Sequence, residues 1–499
     1  MRDPGAGDVL VLTSPEDLDP EAIRAVADGR RVRLAAPLAA AIADVRAAAV
    51  AALEGAAPVY GVSTGMGDQS WVRLDAAARQ RQSETLMVGR AVGSAPWLGR
   101  RQARAVLAVR LRTFLTGDAA VTADLCGRLV VLLDADIVPA IPATGHGAAG
   151  EIIALAHLGA LVTGSGSALA ADGVTARPAP QALAAAGLGP FPLAVKEGVA
   201  LLQGVPTTAA LAILASARAK ELTDRAAVVA GIGVAITGAT RDPYSPLLAR
   251  GDAELALALA RLLHVAGDDP APRTLQAPLS FRVVGPALAH LARSGAALDA
   301  AVGRALAGVT DSPAFLDGRF VGSTGFDGFD LAATLDGLTV AACHLAETSA
   351  ARLHRLLDDR VTGLARQLSD CPGRHAGLVA VHKRAVGVVH RLRREAVPSG
   401  LGSMETSLGQ EDVQSFSIQA ATTAGSVLDG LADVLACELL AVHQAVLLGG
   451  RPACLGDVGG RLLDAAAAVL PQGTSDRPFG REVDALIALN PGSAGQDGW

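Results

Sequence analysis

From Lys196 to Thr237 the chain passes through three stretches rich in alanine, leucine and valine: Lys196 to Gly204, Thr207 to Thr223, and Ala226 to Thr237. The two longer ones exceed the usual length of a strand, and their small residues give faces on which helices pack closely. The pattern recurs, and it predicts further helices near Pro20 to Asp28, Ala39 to Leu53, Asp75 through Arg112, Ile152 to Leu161, Gly285 to Gly308, Leu331 to Arg366 and within Gln410 to Leu448. Such a chain has to bury helix against helix. Aromatic residues make up only 3% of it, whereas strands enrich aromatic and β-branched residues, so the expected fold is mainly α. With 499 residues, 51% hydrophobic, it is long enough to bury a large core.

A Gly-, Pro- and Ala-rich segment at 172–192 is the clearest candidate boundary, dividing a smaller mixed N-terminal domain, 1–190, from a helical bundle and C-terminal helices, 191–499. A looser stretch follows at Asp268 to Arg273. The nearest approach to a membrane span, Ile152 to Ala171, is interrupted by His157 and Thr163-Gly-Ser-Gly-Ser167, and reads as a buried helix. Net charge is -6, with no basic face and few aromatics, which argues against a nucleic-acid partner. Five widely spaced cysteines without a Cys-x-x-Cys pair, and an N-terminus unlike a signal peptide, fit a cytoplasmic protein with reduced thiols. Arg100, Arg101, Arg104, Arg110 and Arg112 read as a solvated or subunit-facing set of charges. His382 and His390, among Lys383, Arg391, Arg393 and Arg394, read as a solvated helix face, and no cluster has metal-ligand spacing.

Two loops carry the chemistry. Tyr60-Gly-Val-Ser-Thr-Gly-Met-Gly67 sets one of only two tyrosines on a glycine-punctuated loop, where nearby positive charge or hydrogen-bond donors would let a phenol serve as a base. Pro142 to His157 is a loop of small residues opening an apolar helix, with Glu151 in the first turn, where a negative charge suits the helix dipole.

These loops, together with Lys196 to Gln203, Gln276 to Arg282, Val309-Thr-Asp-Ser-Pro313, Phe326 and Ser407-Leu-Gly-Gln-Glu-Asp412, resemble in order and spacing the motifs of the aromatic amino acid ammonia-lyase and aminomutase family. The resemblance implies a long central helical bundle, a homotetramer, and active sites shared among three subunits. It also implies roles: Tyr60 as catalytic base, Glu411 as the acid near a substrate amine, and Arg282 as the grip on a substrate carboxylate. Gln276, Gln203, Gln410, Phe326 and Leu279 would line the site, and Met87 and Val88 would stand at an apolar ring pocket.

The departures from the family pattern are as informative. Family members make a methylideneimidazolone electrophile from an internal Ala-Ser-Gly, whereas this chain has Ala148-Ala149-Gly150, without the serine hydroxyl that would be lost as water. The prosthetic group is therefore not expected. Leu279 stands for a tyrosine, Gln203 and Ser63 for asparagines, Glu151 for an aspartate, and Gly325-Phe326-Asp327 for Asn-Phe-His. His146 and Asp327 are polar groups new to the site and candidate participants. The leading expectation is a cofactor-free enzyme performing elimination, addition, isomerisation or cyclisation on a carboxylate with an apolar portion, in specialised metabolism. The alternatives are a non-catalytic partner protein and a slow amino acid ammonia-lyase or aminomutase.

Overall fold

The computed structural model describes residues 9–489 except 56, 269, 270 and 403. Two of the four, Asp269 and Pro270, belong to the loose stretch at 268–273 and so lie outside the described residues. The chain forms two compact units, each assembled from three stretches: 1–214, 298–335 and 398–422 in the first, and 215–297, 336–397 and 423–499 in the second. Residues 1–190 all fall in the first unit, which also takes in 191–214, 298–335 and 398–422.

The fold is largely helical, as expected. In the first unit, side chains of the residues just ahead of the helices hold their open N–H groups: Asp19 accepts from Ala22 at the start of Pro20–Ala27, Asp75 from Ala78 at Ala76–Arg90, and Thr122 from Leu125 at Ala123–Asp134. The predicted run from Asp75 to Arg112 is two helices, Ala76–Arg90 and Arg100–Leu115. Thr207 to Thr223 and Ala226 to Thr237 are one helix, Pro206–Thr237. The mixed character of this unit comes from three short two-stranded sheets: Leu10–Leu12 parallel to Val32–Leu34, with Ser167–Leu169 against Ala176–Pro178 and Ala314–Leu316 against Arg319–Val321 antiparallel.

Three expectations need correction. The stretch Ile152 to Ala171 is not one helix, because Ile152–Thr163 ends on Gly164 at φ +76° and a strand follows. Longer helices elsewhere have the length and composition to cross a membrane, among them Ser417–Gly449, yet 78% of its most apolar window is buried inside the fold. The predicted helix from Leu331 to Arg366 stops at Leu356, where Asp358 caps a separate turn, Asp359–Thr362.

The third correction concerns the arginines. Only Arg101 matches the expectation of solvated charge, paired with Asp28 at the surface. Arg104, Arg110 and Arg112 are buried and tie separate segments together through backbone carbonyls. Arg104 reaches Val26 and Leu133, Arg110 reaches Ala200 and Gln203, and Arg112 reaches Pro15 and Leu18. Burial pushes Arg110 down to about 10, against the pull of Asp311 and Glu151. A guanidinium has donors enough to satisfy several carbonyls at once, which is how such burial is tolerated.

Among the described residues of the second unit, the regular elements are all helices. At its centre, wholly buried Arg352 pairs with Glu438 through two bonds of 2.7 and 2.8 Å, and Ser349 completes the carboxylate. The helix Val379–Glu395 carries His382 stacked on His354 at 4.6 Å, with His390 and Arg391, Arg393 and Arg394 exposed.

Candidate active site

A cavity of about 620 Å³ opens in the first unit, within the range of small-molecule sites. Three loops, two helix ends and residues of the 312–327 segment build it. The Tyr60 loop contributes Tyr60, Met66 and Asp68; the loop before Ile152–Thr163 contributes Ala148 and Ala149; and the 406–413 turn contributes Thr406, Gln410 and Glu411. Gln203, at the end of the short helix Glu197–Leu202, and Arg90, at the end of Ala76–Arg90, complete the wall with Ser312, Phe326 and Asp327.

Tyr60 is partly exposed, and its phenolic oxygen accepts the Gly67 N–H at 2.8 Å. Glu411 Oε2 accepts the Ala149 N–H at 3.1 Å and the Thr406 hydroxyl at 2.7 Å, so one carboxylate oxygen is anchored to the 148–150 loop. The side-chain amides of Gln203 and Gln410 line the cavity and make no hydrogen bond among the described residues.

The 148–150 loop is fixed from beneath. Glu151 is buried and accepts the N–H groups of Thr207 and Thr208, each at 2.6 Å, one on each oxygen. Its charge therefore serves the N-terminus of Pro206–Thr237 and not that of the helix it precedes. Gly150 sits at φ +75°, where a side chain would also press within 3.0 Å of the Phe326 carbonyl. Burial holds Glu151 above the usual carboxylate range, with the Thr207 and Thr208 bonds opposing it.

Several predicted residues lie elsewhere. Met87 is fully buried, its sulfur packed onto Gly159; a Cβ added there would lie 2.0 Å from that sulfur, so only glycine admits it. Val88 is 62% exposed, and neither residue lines the cavity. Ser63 is buried, where its hydroxyl accepts the Val59 N–H and holds the loop. His146 lies outside the lining; its Nε2 donates to the Pro142 carbonyl at 2.9 Å, and burial pulls its pKa down, so it is neutral. Asp327 does line the cavity, but its Oδ1 also accepts the Phe329 N–H at the start of helix Phe329–Leu356. Gln276, Leu279 and Arg282 belong to the second unit, where Arg282 donates to Gln276 at 3.1 Å and Leu279 is exposed.

Arg90 was missed. It ends the helix that carries Met87 and Val88, and a cation three residues beyond a predicted ring pocket was the available signal. Among the described residues its guanidinium has no hydrogen-bond or ion-pair partner, though it feels the charges of Tyr60 and Glu411. The other charged side chains of the lining, Asp68, Asp327, Glu411 and Asp412, are all acids. No three His, Cys, Asp or Glu side chains group as metal ligands among the described residues.

The family described as aromatic amino acid lyase matches residues 18–468. Histidine ammonia-lyase from Anaeromyxobacter sp. (strain K) is 31% identical over 504 residues, covering 96% of this chain and 98% of that protein. Histidine ammonia-lyase from Streptomyces coelicolor is 33% identical over 437 residues, covering 84% of each. Among solved structures, tyrosine aminomutase from Streptomyces globisporus matches with a TM-score of 0.90 at 25% identity over 96% of each chain. Ergothionase from Treponema denticola matches with a TM-score of 0.88 at 23% identity, covering 97% of this chain and 98% of that one.

Proposed function

The chain belongs to the aromatic amino acid lyase family, and from that premise we propose that it is a cytoplasmic enzyme of this fold that works by acid–base chemistry without methylideneimidazolone. The reaction class is elimination, addition, isomerisation or cyclisation on a carboxylate substrate with an apolar portion, in specialised metabolism. The observation that carries the reading is that Tyr60 and Glu411 line one cavity with Ala148 and Ala149.

The residues at 148–150 do not fit the family's prosthetic group. Ala149 offers a methyl where the exocyclic methylidene requires a hydroxyl to leave as water, so no step is routed through that group. What remains can move protons. Tyr60, as the phenolate whose charge the Gly67 N–H steadies, takes a proton from a substrate carbon and becomes the neutral phenol as the charge passes to that carbon. Glu411, its Oε2 held by Ala149 and Thr406, exchanges a proton at the leaving or entering atom. Without a covalent electrophile the leaving group has to be better than ammonia, or the carbon acid stronger than an ordinary β-position. Met66, Ile152, Phe326 and Val413 supply the apolar wall that Met87 and Val88 do not.

The carboxylate grip is Arg282, with Gln276 beside it, brought from another subunit of a homotetramer. Leu247 and Leu275, 87% and 84% exposed on the second unit of a single chain, support assembly that covers them.

The test is turnover by the purified protein, followed by mass spectrometry, on amino acids, arylacrylates and an extract of the source cells, alongside Tyr60→Phe and Arg282→Ala. Loss of turnover in both variants, with no ammonia released by the parent, is the expected result. Ammonia from an ordinary amino acid would replace the proposal with a lyase or aminomutase. A folded protein that turns over nothing in the extract would replace it with a partner protein.

A further inference from the structure

We propose that Arg90 determines specificity by binding a second acid group, so that the substrate of this cavity is a diacid. This rests on the preceding reading for its first carboxylate, the one held by Arg282.

The observation is an unused guanidinium. Elsewhere the chain spends its sheltered arginines on carbonyls: Arg46 on Ala120 and Val195, Arg110 on Ala200 and Gln203, and Arg241 on Ala266 and Gly267. Arg90 is half-buried, and burial lowers its pKa, yet its donors meet no acceptor among the described residues. Its position at the last turn of Ala76–Arg90 suits the helix dipole, but that satisfies no side-chain donor. A sheltered cation facing a cavity with its planar fork free is built for an oxyanion delivered by a ligand.

The lining chooses among oxyanions. Asp68, Asp327, Glu411 and Asp412 surround the same space. A phosphate dianion would meet that field with twice the charge of a carboxylate while gaining the same single guanidinium. The carboxylate is therefore the better match, and Met66, Ile152, Phe326 and Val413 give the same cavity an apolar wall for the part of the substrate between its acid groups.

The alternative role for Arg90 is to steady charge on Tyr60 without touching the ligand, and binding separates the two. Isothermal titration of the full chain carrying Tyr60→Phe, which blocks turnover, would compare cinnamate with 4-carboxycinnamate. Expected is a preference for the diacid of about ten-fold, the scale of one charge-assisted hydrogen bond. Arg90→Gln should abolish the preference while leaving cinnamate binding in place, Arg90→Lys should keep part of it, and Arg282→Ala should weaken both acids alike. Equal binding of the two acids by the parent would overturn the proposal, as would Arg90→Gln weakening both equally. Unchanged melting of Arg90→Gln shows that the fold is intact. Because binding is read in protein that cannot turn over, equal binding of the two acids by the Tyr60→Phe chain alongside intact turnover in the wild-type chain sinks the Arg90 assignment alone.

Discussion

Asp311→Ala should be among the costliest single changes in the first unit. Lys196 and Asp311 form an ion pair with side-chain exposures of 0% and 6%, and Arg110 and Arg46 both press further positive charge on the lysine. Removing one partner of a buried pair leaves an uncompensated charge and costs about 3–5 kcal/mol. Three cations would then face one another, which puts the expectation near the upper end. Replacing both partners, as Lys196→Met with Asp311→Leu, removes the charge together with its solvation penalty and should stay within about 1 kcal/mol of the parent. Urea unfolding followed by helix circular dichroism measures both, and the single variant should shift the midpoint down by roughly 1 M or more.

The pH dependence supplies a second check on the same pair. Burial sets the folded pKa of Lys196 below its unfolded value, with Asp311 pulling the other way. Between those two values the unfolded chain holds a proton that the folded chain has released, so stability rises with pH up to about 10.5. Without Asp311 the folded pKa falls further and the window widens downward. The deficit of Asp311→Ala against the double variant should therefore shrink as pH is raised from about 7 towards 10. A deficit under about 1 kcal/mol, or one indifferent to pH, would refute the reasoning. The site is tied to this pair, because Ser312 follows Asp311 into the cavity wall, so turnover should fall with stability.

Gly150→Ala combines a left-handed backbone with a methyl driven towards the Phe326 carbonyl, so a loss of about 1–3 kcal/mol and reduced turnover are expected from melting and activity assays. In the second unit, Glu438→Ala should cost about 3–5 kcal/mol by urea unfolding, since it strands a fully buried Arg352. With a thiol reagent at pH 8, Cys371 and Cys454 should label first, read by peptide mass spectrometry. Cys126, Cys343 and Cys437 should label only on unfolding, because they are buried and burial pushes Cys126, for one, up to about 12.

Helices were legible where apolar residues ran long enough to exclude a strand, as in Pro206–Thr237. The strands are three residues each, too short for alternation to register. The break after Leu356 rests on Asp358 accepting the Arg360 N–H and on Gly363 at φ +68°, local chemistry that an apolar count overrides. The buried arginines were illegible for another reason. Arg110 finds acceptors at Ala200 and Gln203, 90 and 93 residues away, and nothing near it in sequence records them. Glu151 was legible as a helix-dipole residue but not as the cap of a helix that begins at Pro206.

At the site, Tyr60, Gln203, Phe326, Gln410 and Glu411, which meet in the cavity, were legible through the resemblance of their motifs to the family's. Placing Met87 and Val88 there required knowing which face of Ala76–Arg90 meets the cavity, and that face is set by Gly159, in another helix, admitting the Met87 sulfur. The cation at the end of the same helix follows a different logic. A site that forms a covalent bond to its substrate can hold it loosely, because the bond supplies the activation. One with a methyl at Ala149 has to draw the same advantage from non-covalent contacts made with the reacting arrangement. A free guanidinium, two unengaged amides and a carboxylate anchored at one oxygen are contacts of that kind, and they are what this cavity offers. Under the proposed function, Ala149 and the unpaired Arg90 belong to one arrangement, a site that works by charge-directed binding in place of covalent activation.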